Sequence, residues 1–146
     1  MKKYLDPEKI RIENRKVMVE VIINRILCHE VNLCPQVPTW NNEAKSRLIE
    51  SLLIRLPLPN FYVDATHDEW VILDGVQRLT ALKEFILDES LMLVGMQYIG
   101  ELEGKFYSDI HRKYQRCLLT TELDFSVILP GTPEYIVHDL FKRIHL

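Results

Sequence analysis

Hydrophobic and polar positions alternate with two distinct periods along the chain. Residues 1–13 are polar, and Asp6-Pro7-Glu8 offers a helix start. From Asn14 to about Glu30, Val17, Val21, Ile22, Ile26 and Cys28 recur as the inner face of a helix. The alternation Val17-Val19-Val21 leaves a strand open at its beginning. Val31 to Leu33 is short and extended, and the prolines between Cys34 and Trp40 demand a loop or edge segment. Asn41 and Asn42 offer an N-cap for a helix from about Glu43 to Arg55, with Leu48, Ile49, Leu52 and Leu53 inward. Pro57 and Pro59 stop it. Phe61–Val63 and Trp70–Leu73 are short apolar runs separated by a polar turn, which predicts a hairpin. A helix to about Leu87 follows, with Leu79, Leu82 and Ile86 at helical spacing beside Ala81 and Phe85. Leu91, Leu93 and Val94 begin a strand punctuated by Gly95, Gly100 and Gly104. Ser108 and Asp109 cap a helix to about Leu118, and Glu122 to Leu129 alternates as a strand. Pro130-Gly131-Thr132-Pro133 then turns the chain, with Thr132 as cap and Pro133 as first residue of a final helix whose inner face is Ile136, Leu140 and Ile144. Strands interspersed with helices place the chain in the α/β class, as a small mixed sheet with surrounding helices. No internal repeat is present.

The turn between Leu73 and Val76 carries the most chemistry. Asp74 is a natural N-cap, and Gly75 admits backbone angles that other residues resist. Gln77 and Arg78 fall in the first helical turn, at a strand's carboxyl end, where open α/β folds place ligands. An arginine at a helix start is mildly unfavourable, because that end carries partial positive charge and unpaired N–H groups. A phosphate there reverses the sign, since backbone N–H groups, the dipole and a guanidinium fork converge on it. The bland alternative is a capped turn whose Arg78 pairs with a protein carboxylate.

Composition narrows the possibilities. With 146 residues, 47% of them hydrophobic and 27% charged, the chain matches one ordinary globular domain, spanning 1–146. A formal net charge of −3 disfavours strong nonspecific grip on nucleic acid, although a local basic patch stays open. Cys28, Cys34 and Cys117 are odd in number and scattered, which argues for reduced thiols in a cytoplasmic protein and against a disulfide framework. The five histidines form no His-x-x-x-His pair and none stands at ligand spacing from a cysteine, so no metal site is expected. Neither a signal core nor an apolar run long enough to span a membrane is seen.

Asp-Gly-Val-Gln-Arg-Leu-Thr-Ala-Leu (74–82) resembles the Asp-Gly-x-Gln-Arg-Leu-Thr-x-Leu signature of the N-terminal domain of GmrSD-type restriction proteins. The likeness extends before the signature, through Ser46 to Leu53, Leu56-Pro57-Leu58-Pro59 and Phe61-Tyr62. It extends after it, through Pro130 to Glu134 and Phe141-Lys142-Arg143-Ile144. The resemblance implies a fold like that of ParB and sulfiredoxin, and a module that binds a nucleoside triphosphate, with magnesium as the associated ion and hydrolysis as the candidate reaction. It implies modification-dependent restriction in bacteria, with the nuclease chemistry in a separate His-containing domain and DNA reached through the full-length protein or a nuclease partner. Carried over residue by residue, it assigns phosphate or nucleotide contacts to Gly75, Gln77 and Arg78, to Gln36 in the preceding loop, to Arg47 on the helix that borders the pocket, and to Lys142 and Arg143. Asp74 is the candidate catalytic group, positioning a metal-bound water. Two departures weaken the match: Val37 stands where the family loop has an arginine, and His145 where it has an asparagine. The family pattern also continues into an Asn-Thr-Gly-Gly turn and further helices, so the expectation is a fragment or truncated copy that turns nucleotide over slowly or not at all.

Bland readings stand beside several of these. Arg47 and Glu50 could be an exposed pair of little consequence. Lys142 and Arg143 suit any helix C-terminus. The main rival to a nucleotide module is a DNA- or partner-binding module of ParB type without catalysis. A sulfiredoxin-like reductase is rejected, because 75–80 contains no cysteine.

Overall fold

The computed structural model describes residues 6–34 and 39–144. Gln36 and Val37, and His145 beyond the final helix, lie outside the described residues. Five strands form one mixed sheet: β1 (Ile12–Met18), β2 (Val31–Asn32), β3 (Phe61–Asp64), β4 (Trp70–Asp74) and β5 (Glu122–Ile128), in the order β1-β5-β3-β4-β2. β1 runs antiparallel to β5, β5 parallel to β3, β3 antiparallel to β4, and β4 parallel to β2. Five α-helices accompany it: α1 (Val19–Leu27), α2 (Asn42–Leu53), α3 (Val76–Ile86), α4 (Arg112–Thr120) and α5 (Glu134–Ile144). The mixed α/β class is therefore as expected.

One face of the sheet carries Phe61, Val63, Trp70, Ile72, Leu123, Phe125 and Val127. These pack with Ile22, Ile26, Ile49, Leu52, Leu79, Leu82 and Phe85 from the helices into one core. Phe61 and Phe125 stack at 5.0 Å between ring centroids at the centre of it. α5 lies against β4. Of its expected inner residues Ile136 is buried, while Leu140 and Ile144 are half covered. α2 and α3 are clamped by Lys45, whose buried ammonium bonds both carboxylate oxygens of Glu84.

The hairpin of β3 and β4, the helix after it, and α2 with Asn41 Oδ1 accepting from the Ala44 N–H all match the sequence pattern. Four expectations are corrected. Residues 14–18 are strand, not helix: β1 runs to Met18 and the chain enters α1 at Val19 without a break. With that shift, Val21 and Cys28 are exposed, and Val19, Ile22, Ile23 and Ile26 point inward. Leu91 to Val94 is not a strand; Leu91 and Leu93 are buried in irregular chain. The α4 start shifts from Ser108 to Arg112, capped by His111 Nδ1, because 107–109 closes a separate 3-10 turn in which Asp109 accepts from the Phe106 N–H. Lastly, Asp74 does not cap α3: Gly75 occupies the cap position and α3 has no side-chain cap.

Why the 91–104 segment needs no strand partners is visible in its bonds. Glu50 is 2% exposed and accepts from the backbone N–H groups of Gln97, Tyr98 and Ile99 at 2.9–3.1 Å. Ser46 Oγ accepts from the Val94 N–H, and Glu103 from those of Gly95 and Met96. Side chains thus satisfy backbone donors that a sheet would otherwise pair. Burial alone would raise the Glu50 pKa. The three backbone donors outweigh it, so the carboxyl titrates below its ordinary value.

Candidate functional site

β4 ends at Asp74 and α3 begins at Val76, so a single residue must turn the chain. Gly75 does so at φ +114°, in the left-handed region. A second constraint reinforces the first. A Cβ at Gly75 would lie 2.3 Å from Cδ1 of Phe61, inside the core ring that the turn rests on. Glycine is therefore required here by backbone angle and by contact together.

Arg78 leaves the first turn of α3 and lies flat on the same ring, its Cζ 3.9 Å from the Phe61 centroid. Nη1 donates to the carbonyl of Pro59, and Nη2 donates to that of Asn60 at 3.2 Å. Asp74 Oδ2 sits 3.4 Å from Nη2. The side chain is only 11% exposed. Burial lowers the arginine's proton affinity and Asp74 opposes that effect; a guanidinium stays charged in either case. Of its five N–H donors, three meet protein oxygens. Among the described residues, that leaves Nε–H and one Nη1 hydrogen for another acceptor.

Gln77 faces a different way. Its Oε1 accepts from the Trp40 N–H at 3.1 Å, which ties Trp40 to α3. It also lines a recess of about 300 Å³ with Ile26, Val31, Leu33, Thr39 and Thr80. The structure thus gathers Asp74, Gly75, Gln77 and Arg78 at one turn, beside a recess with an apolar floor. Arg47 is exposed on α2, and Lys142 and Arg143 are exposed at the end of α5. Among the described residues no hydrogen bond or ion pair of theirs reaches the turn. Arg47 and Glu50 are not an exposed pair either, since Glu50 is buried under 97–99.

The family model for the GmrSD restriction endonuclease N-terminal domain matches residues 38–142. That stretch contains the whole turn, α2 and most of α5. The chain belongs to this family. It is accordingly a module of the restriction, phage-defence kind. No curated protein and no solved structure matches it.

Sequence reasoning did not find the bonds from Arg78 to Pro59 and Asn60. The signal for them was present: Leu56-Pro57-Leu58-Pro59 cannot form helix, so its carbonyls need donors from elsewhere. No group of three or more His, Cys, Asp or Glu able to hold a metal ion occurs among the described residues.

Proposed function

We propose that this domain binds a nucleoside triphosphate at the Gly75 turn and serves as the nucleotide-responsive part of a restriction-type defence system. One observation carries the reading: α3 opens without a side-chain cap or an acidic residue in its first turn, and beside it stands a fixed arginine with two donors that meet no acceptor among the described residues. Uncapped N–H groups, the helix dipole and a guanidinium are the components of a phosphate site. Membership in the GmrSD N-terminal family supports it. Phe61 and the Pro59 and Asn60 carbonyls hold Arg78 in place, so phosphate binding would not have to order a free side chain.

Asp74 is a single carboxylate, part-exposed and shared with Arg78. It fits one position on a magnesium ion whose remaining ligands are phosphate and water, the usual manner of holding this ion. It does not by itself build a base for fast hydrolysis. Turnover should therefore be slow compared with binding, because phosphoryl transfer depends on charges arranged around the departing phosphate. A binding isotherm beside a phosphate-release assay tests this directly. Binding with slow release of phosphate is expected; no binding of any nucleoside triphosphate overturns it.

The non-catalytic alternative draws on the same bonds. If Pro59, Asn60 and Asp74 are the whole purpose of Arg78, the turn is a structural latch and the domain serves only to hold DNA or a protein. Unchanged nucleotide affinity together with salt-sensitive DNA binding would favour that reading.

A further inference from the structure

We propose that two copies of this chain pair edge to edge through β1, whose antiparallel seam joins their two mixed sheets into one. β1 is seven residues long and ends the sheet on one side, and among the described residues only β5 pairs with it. It contains no proline and no bulge, so nothing in its own backbone blocks a further strand. The other sheet edge, β2, has two residues and offers little.

The backbone fixes which residues can pair. The Leu129 N–H donates to the Arg11 carbonyl and the Val19 N–H to the Thr121 carbonyl. Odd-numbered residues of β1 therefore direct their backbone groups to β5. Ile12, Asn14, Lys16 and Met18 direct theirs outward. A twofold antiparallel pairing must join these outward residues, which leaves few registers.

Charge selects among them. Centred on Asn14, the pairing bonds Asn14 to Asn14 of the second copy and Ile12 to Lys16. It sets Glu13 directly opposite Arg15 at the closer, non-hydrogen-bonded positions, twice over. Centred on Glu13 it opposes two glutamates; centred on Arg15, two arginines; centred on Lys16, two lysines. Each of these sets like charges face to face, which destabilises a sheet. Centred on Ile12 at one end, or on Val17 or Met18 at the other, it leaves little strand overlapped. One register alone combines overlap with complementary charge. Glu13 and Arg15 already pair within the strand at 3.1 Å, so the dimer would turn two such pairs into a four-charge cluster. Lys16 stays with Asp124 of its own chain at 3.0 Å.

The test is the oligomeric state over a range of concentration, by sedimentation equilibrium. Glu13→Arg should raise the dimer dissociation constant by roughly tenfold or more, through two opposed arginine pairs. Glu13→Arg combined with Arg15→Glu should restore it, because the swap regenerates the same pairs with signs exchanged. Glu13 is exposed, so each variant should keep the wild-type circular dichroism spectrum. Amide exchange at Ile12, Asn14 and Lys16 should slow as concentration rises. A wild-type chain that is monomeric at several hundred micromolar overturns the proposal. So does a dimer whose Asn14 amide exchanges freely, or one that survives Glu13→Arg unchanged.

Discussion

The buried carboxylate of Glu50 and the half-buried guanidinium of Arg78 differ in what they leave unmatched. Glu50 receives backbone N–H groups from three successive residues on its two oxygens. Those donors have few other partners, and the carboxylate has little capacity left for anything but holding 97–99. Arg78 is half-buried, and three of its five donors meet Pro59, Asn60 and Asp74 while two meet no acceptor among the described residues. It also stands at a helix start that lacks a cap, whereas Glu50 lies in the third turn of α2. The lesson is that burial of a charge does not mark a site; residual bonding capacity beside a helix start without a side-chain cap does. Glu50 is architecture, and the Arg78 turn is architecture with unused donors.

Removing Glu50 is the severest way to test that contrast. Glu50→Ala should cost on the order of 3 kcal/mol in denaturant unfolding, because it strands backbone donors in a closed environment. The same carboxylate gives an acid dependence. Its folded pKa lies below the ordinary value of a glutamate, about 4.5. Its contribution is therefore complete above that value and fades as the pH falls through the folded pKa. Acid unfolding should begin below about pH 4.5, and Glu50→Gln should flatten that limb.

Gly75→Ala is next. It places a Cβ in a left-handed conformation and 2.3 Å from a Phe61 ring carbon. A loss of roughly 2–4 kcal/mol is expected, combining the backbone cost with overpacking. A loss under 0.5 kcal/mol in chemical denaturation would show that the turn can relax, and with it that Arg78 is not rigidly placed.

Arg78→Ala sharpens the comparison from the other side. Triphosphate affinity should fall by about 1.5–3 kcal/mol, the range for a charged hydrogen bond. Stability should change less than for Glu50→Ala, since Pro59 and Asn60 lie at the surface, where water can replace the guanidinium.

The smallest effect expected is none. Cys28 and Cys34 are exposed, Cys117 is half-buried, and all three are free thiols. Chelator and reductant, in buffer without nucleotide, should leave the melting temperature within about one degree. A fall of several degrees would reveal a metal or disulfide absent from this account.

Much of this was legible in the sequence, and the reasons are local. Asn41 caps α2, prolines stop it, and Gly75 breaks strand from helix, so each boundary carries its own residue type. β1 was misread because Val17-Val19-Val21 satisfies both periods, and no glycine or proline separates Met18 from Val19. The 91–104 segment was misread because much of its backbone is satisfied by side chains, those of Ser46 and Glu50 on α2 and its own Glu103, an arrangement without trace in the periodicity. The same holds for Glu50: nothing in its neighbours distinguishes it from a solvated glutamate three residues from Arg47. At the site, Asp74, Gly75, Gln77 and Arg78 were found as a group because they are contiguous. Arg47, Lys142 and Arg143 came from likeness alone, and the fold leaves them exposed, with no bond to the turn among the described residues.

The central claim is that Arg78 has donors to give to a phosphate. A calorimetric titration of a nucleoside triphosphate with magnesium into three proteins tests it most directly: wild type, Arg78→Ala and Lys113→Ala. Lys113 is an exposed cation on α4, so its removal matches the change in charge without touching the turn. The account predicts binding to the wild type and to Lys113→Ala alike, and a loss of about tenfold to a hundredfold in Arg78→Ala. Equal affinity in all three would contradict it and leave Arg78 a latch between α3 and the Pro59–Asn60 backbone.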